Sequence, residues 1–181
     1  MFSFVLALLI VFLVLAAQFE SFVHPFVIMA TVPLSTFGAL LGLYLTGGTL
    51  NIYSNIGLII LIGISTKNGI LIVEFINQMR DAGRSFTDAI YEASEVRLRP
   101  VLMTALSTIM GSLPLIYASG AGAESRATLG IVIFSGVLMA TALTLFVVPA
   151  LYNLFARNTG SPEAIAKQIE SLEDGETRLV Q

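Results

Sequence analysis

Cysteine is absent from this 181-residue sequence, and histidine occurs once, at His24. The first absence excludes disulfides and thiolate metal sites, and a single imidazole cannot build a histidine metal cluster. Charge is scarce too, at 12% of residues against about 25% in soluble domains. Hydrophobic residues make up 56%, which is an integral membrane composition with the lipid bilayer as its surroundings. No nucleophile–base pair or metal constellation stands out, so neither an enzyme nor a cofactor is expected, and nothing points to nucleic acid. The formal net charge of −3 says little, because Glu163, Glu170, Glu173, Asp174 and Glu176 all lie in the last twenty residues.

What is present is a series of charge-poor stretches. Crossing a ~30 Å hydrocarbon core takes about 20 apolar residues. Spans are expected at 1–18, 26–46, 51–77, 100–118 and 128–152. The first lacks the positive flank and cleavage site of a signal peptide and reads as a helix. Pro25 suits the first turn of the second span, and Pro33 should kink it. Gly47-Gly48-Thr49 makes a tight turn. Between the third and fourth spans, Ser85 is a candidate N-cap with Asp88 three residues on, and Phe86, Ala89, Ile90 and Ala93 recur at helical spacing. This pattern predicts an amphipathic surface helix over 85–96. The fold class is therefore all-α integral membrane, with a transmembrane domain over 1–157 and a polar, acidic tail over 158–181.

Orientation follows from where Lys and Arg collect. Five alternating spans put Arg80, Arg84, Arg97, Arg99, Arg157, Lys167 and Arg178 on one side and Arg126 alone on the other. The tail is expected in the cytoplasm and the N-terminus in the periplasm.

One residue breaks the apolar pattern. Lys67 stands near the middle of the third span, where a translocon-type scale sets its cost at roughly +2.5 to +3.5 kcal/mol. Asn68 is a second polar group at that depth, and Glu74 follows two turns later. Snorkelling is the bland reading of Lys67. The acids all fall at segment ends or in water, so none sits at its depth. Either burial holds Lys67 neutral, or a carboxylate comes from helices outside this chain. On the fourth span Arg97, Thr104 and Gly111 are spaced by seven, with Ser107 and Thr108 nearby. By residues alone Arg97 also fits a positive-inside anchor, and the hydroxyls fit close helix packing.

Two blocks together resemble the resistance–nodulation–division transporters: Gly63-Ile-Ser-Thr-Lys67-Asn68-Gly69-Ile-Leu-Ile-Val-Glu74-Phe75, and Arg97-Leu-Arg99-Pro100-Val-Leu-Met103-Thr104. Ala17-Gln-Phe-Glu20-Ser, Val32-Pro33, Gly120-Ala-Gly122-Ala and Val148-Pro149-Ala-Leu-Tyr152 extend the likeness. The resemblance implies helices eight to twelve of a twelve-helix protomer, and hence the C-terminal part of a homotrimeric permease in the bacterial inner membrane. Such permeases are driven by the proton motive force and work with a periplasmic adaptor and an outer-membrane channel. It also implies a proton relay of Lys67, Arg97 and Thr104, with Asn68 beside them and paired aspartates on an absent helix. Lysine before Asn-Gly favours the branch that exports drugs and amphiphiles. The alternatives are the heavy-metal branch, a standalone structural or regulatory membrane protein that associates with a full-length permease, and an unrelated small channel.

Overall fold

In a computed structural model of the chain, residues 2–19 and 21–156 are described, and every regular element among them is a helix: α1 (Phe2–Phe19), α2 (Val23–Met29), α3 (Thr31–Leu45), α4 (Ile52–Asp81), α5 (Phe86–Ile116) and α6 (Ala123–Phe155). The tail expected over 158–181 lies outside the described residues. Among the described residues, helices of spanning length and composition number four: Val23–Leu45, α4, α5 and α6. With 18 residues, α1 reaches about 27 Å. It is the shortest of the five segments expected to span, and it falls below that length.

The expected kink in the second span is present and sits at Ala30, between α2 and α3. Pro33 has no N–H to donate to the Met29 carbonyl, and the chain changes course there. Ala30 keeps right-handed helical angles (φ −62, ψ −17), so the break is a bend rather than a loop. Pro25 stands in the first turn of α2, as anticipated.

Both tight connections end a helix in the same way. Gly47 and Gly83 take positive φ (67 and 85). The next amides, Gly48 N and Arg84 N, then reach back to the Leu43 and Met79 carbonyls at 2.8 and 3.2 Å, the Schellman arrangement. At the other end of α4, Asn51 and Ser54 cap reciprocally: Ser54 N donates to Asn51 Oδ1 (2.9 Å) and Asn51 N to Ser54 Oγ (2.8 Å).

The separate surface helix expected over 85–96 is not separate. Ser85 caps as foreseen, accepting from Asp88 N at 3.2 Å, but the helix then runs through Pro100 to Ile116. The reason is burial: Ala89 and Ala93 are fully buried and Ile90 nearly so, in one core cluster with Ile72, Val73 and Ile76 of α4. The apolar stripe faces protein, not lipid headgroups, and that packing carries the helix past the bond Pro100 cannot make.

The central helix is α6, which packs against α3, α4 and α5. Close approach is possible because glycines stand at the contacts. A Cβ on Gly38 or Gly42 of α3 would overlap Met139 or Ser135 of α6, and one on Gly136 of α6 would overlap Leu61 of α4. Gly38 and Gly42 are four apart and form the small-xxx-small pattern that lets membrane helices touch backbone to backbone.

Candidate functional site: a polar crevice between three helices

The long helix α4 divides its circumference among neighbours. Gly57 and Leu61 meet α6. Ser65 and Gly69 meet the α2–α3 bend, where Ser65 Oγ donates to the Thr31 carbonyl at 3.2 Å and a Cβ on Gly69 would press on Ile28. A further stripe, Ile56, Ile60, Gly63, Lys67, Glu74 and Gln78, stays exposed. Lys67 thus sits on a face of α4 that the described residues leave uncovered.

Beside that face lies a crevice of about 100 Å3, lined by Ile64, Lys67 and Asn68 of α4, Thr104, Ala105 and Thr108 of α5, and Val137 of α6. It has room for several water molecules. Asn68 is 6% exposed, whereas Lys67 and Thr104 are exposed. The hydroxyls are held by their own helix: Thr104 Oγ1 donates to the Val101 carbonyl (3.1 Å) and Thr108 Oγ1 to the Thr104 carbonyl (2.9 Å). Lys67 has no hydrogen-bond or ion-pair partner among the described residues. The ion pair Arg84–Glu92 (3.3 Å) lies on the exposed surface and has no part in the crevice.

Arg97 stands two turns away. The turn at 82–85 makes α4 and α5 antiparallel, so a step of seven residues forward on α4 matches seven backward on α5. Asn68 and Thr104 share the crevice, and that step leads to Phe75 and Arg97, which also meet. The Arg97 guanidinium carbon lies 4.4 Å over the Phe75 ring. Its Nε is buried without a hydrogen bond among the described residues. The structure therefore brings Lys67, Asn68 and Thr104 to one crevice and sets Arg97 along the same seam. Gly111 lies two turns from Thr104 in the other direction, and a Cβ built there would meet nothing within 4 Å beyond its own helix.

A second polar cluster gave no signal in the sequence beyond a lone histidine and a tyrosine. Tyr152 of α6 is fully buried. Its hydroxyl donates to Asn77 Oδ1 (2.5 Å) and accepts from Arg80 Nη1 (2.9 Å). Its ring stacks on His24 of α2 (5.7 Å, 18°) and on Phe86 of α5 (6.0 Å, 20°), and His24 also meets Phe19 of α1 at 5.7 Å. Side chains of α2, α4 and α5 thus meet Tyr152 of α6 directly, and α1 joins the cluster through His24. A cavity of about 530 Å3 between α3, α5 and α6 is lined almost wholly by apolar groups such as Leu41, Ile116 and Phe134. It is separate from both polar clusters.

Comparison with known proteins bears on this arrangement. The chain is 48% identical over 161 residues to a Haemophilus influenzae protein described as an uncharacterized transporter, covering 85% of this chain and 16% of that protein. It is similar in structure to a heavy metal efflux pump solved by crystallography, with a TM-score of 0.75 and 37% identity over 82% of this chain and 15% of the pump. The chain thus spans about a sixth of the length of these relatives. A model of the AcrB/AcrD/AcrF family matches residues 1–156, which include both polar clusters and every spanning helix. The chain belongs to the AcrB/AcrD/AcrF family of resistance–nodulation–division proteins.

Proposed function

We propose that these residues form the C-terminal membrane part of a proton-driven efflux permease, and that Lys67, Asn68, Thr104 and Arg97 are this chain's share of its proton relay. The observation that carries the reading is the position of Lys67: an ammonium on the uncovered face of α4, at the mouth of a hydrated-size crevice, with no counter-ion among the described residues. A charge at membrane depth calls for a partner, and the open face of α4 is where a further helix would bring one. A carboxylate there would pair with Lys67 when ionised. When protonated it would release the ammonium toward Asn68 and Thr104, and the helices would repack around the changed charge.

Family membership supports placing the protein in a bacterial inner membrane as part of a trimer working with adaptor and outer-membrane partners. The basic residues near the α4–α5 turn favour that end as cytoplasmic.

The test is Lys67→Met in the full-length permease, with proton-coupled export measured in everted vesicles at matched protein level. Export should be lost. Normal export by the variant would remove Lys67 from the relay.

On cargo, the Lys-Asn-Gly sequence favours drugs and other amphiphiles, whereas the solved heavy metal efflux pump, 37% identical, favours metal ions. Dye and metal export assays on the same vesicles decide between them.

A further inference from the structure

We propose that Phe75 is a positioning residue for Arg97: its ring holds the guanidinium in place while leaving the N–H donors free for a partner supplied by another helix. The inference rests on the relay reading above. Its basis is the stack itself, with the Arg97 guanidinium carbon 4.4 Å over the Phe75 ring and Nε buried but unbonded among the described residues.

An arginine has five N–H donors and no acceptor. Holding it with a carboxylate would occupy two of those donors and cancel the charge in advance. An aromatic face attracts the cation through its quadrupole and uses none of the donors. Arg97 is half-buried, so the attraction acts with little water to weaken it. The seam adds direction: Phe75 stands seven residues after Asn68 and Arg97 seven before Thr104, so a ring that fixes Arg97 also fixes its distance from the Lys67 crevice. Phe75 packs beside the core cluster that joins α4 to α5, which keeps the ring from turning away.

A ring that only filled space could be replaced by any apolar side chain of similar size. The two roles separate in the full-length permease with Phe75→Leu, Phe75→Trp and Arg97→Lys, each adjusted to equal abundance. If Phe75 positions Arg97, Phe75→Leu lowers kcat for proton-coupled export about fivefold to tenfold with KM unchanged, and Phe75→Trp, which keeps a π face, stays within about twofold. In the double variant Phe75→Leu/Arg97→Lys the two losses combine less than multiplicatively, because they remove one interaction. Normal export by Phe75→Leu, equal damage from Leu and Trp, or independent losses in the double variant each overturn the inference. Should Phe75→Leu not accumulate, Phe75→Met and Phe75→Tyr make the same comparison of apolar bulk with aromatic face. Normal export by Arg97→Ala would instead overturn the relay reading on which the inference rests.

Discussion

The Tyr152 hydroxyl of α6 donates to Asn77 Oδ1 of α4 across 2.5 Å while accepting from Arg80 Nη1 of the same helix at 2.9 Å. Both partners come from the end of α4 next to the α4–α5 turn, so one hydroxyl ties the foot of the helical hairpin to the central helix. Tyr152→Phe keeps the rings stacked on His24 and Phe86 but deprives buried Asn77 of its donor. The expected loss is about 1–3 kcal/mol. The check is the midpoint of thermal unfolding in detergent; a variant that unfolds at the wild-type temperature would show the bond to be inert.

Gly42 lies where α3 touches α6, and a side chain there would overlap Ser135. Gly42→Val should push the helices apart and destabilise the bundle by about 1–3 kcal/mol. Leu40, exposed on another face of α3, is the control: Leu40→Val should leave the protein's level in the membrane unchanged. Comparable levels for both variants would contradict the close approach.

Asn68 is buried next to Lys67 at the crevice. Asn68→Asp would place a carboxylate beside the ammonium within this chain, and the pair would hold each other. Export by the full-length permease should then drop about tenfold or more at normal abundance, because Lys67 no longer exchanges partners. Asn68→Ala, which adds no charge, should be milder. The ordering Asp worse than Ala is the measured quantity, and the reverse order would count against an exchanging lysine.

The absence of cysteine makes the chain suited to single-cysteine labelling. Ala82→Cys, exposed in the α4–α5 turn, should react with an impermeant maleimide only from the cytoplasmic side. Thr49→Cys and Ala121→Cys, exposed in the α3–α4 and α5–α6 connections, should react only from the periplasm. Labelling of position 82 from outside would invert the topology.

Much of the fold was legible because membrane helices announce themselves through composition. Charge-poor length marked the four helices of spanning length among the described residues, while α1, expected to span over 1–18, falls short of it. Gly-Gly and Ser-x-x-Asp marked helix ends, Pro25 a first turn and Pro33 the bend. The expectation failed at 85–96, where an amphipathic stripe reads the same whether it faces headgroups or protein. Only the packing of Ala89 and Ala93 against α4 shows that the stripe belongs to α5.

The sequence by itself set the expectation that Lys67, deep in a charge-poor stretch, has no acid at its own depth, since counting the acids and their positions requires no coordinates. It also determined the seven-residue spacing of Arg97 and Thr104, and with it their common face on one helix. Tertiary structure alone decided which face of α4 stays open, that Asn68 and Thr104 share a crevice, and that Arg97 rests on Phe75 while Tyr152 of α6 gathers α2, α4 and α5. The physical reason is that spacing along a helix fixes a residue's angle about its own axis, whereas a neighbour's identity depends on the register between helices. That register is set by glycine contacts such as Gly42 on Ser135, between residues far apart in the chain.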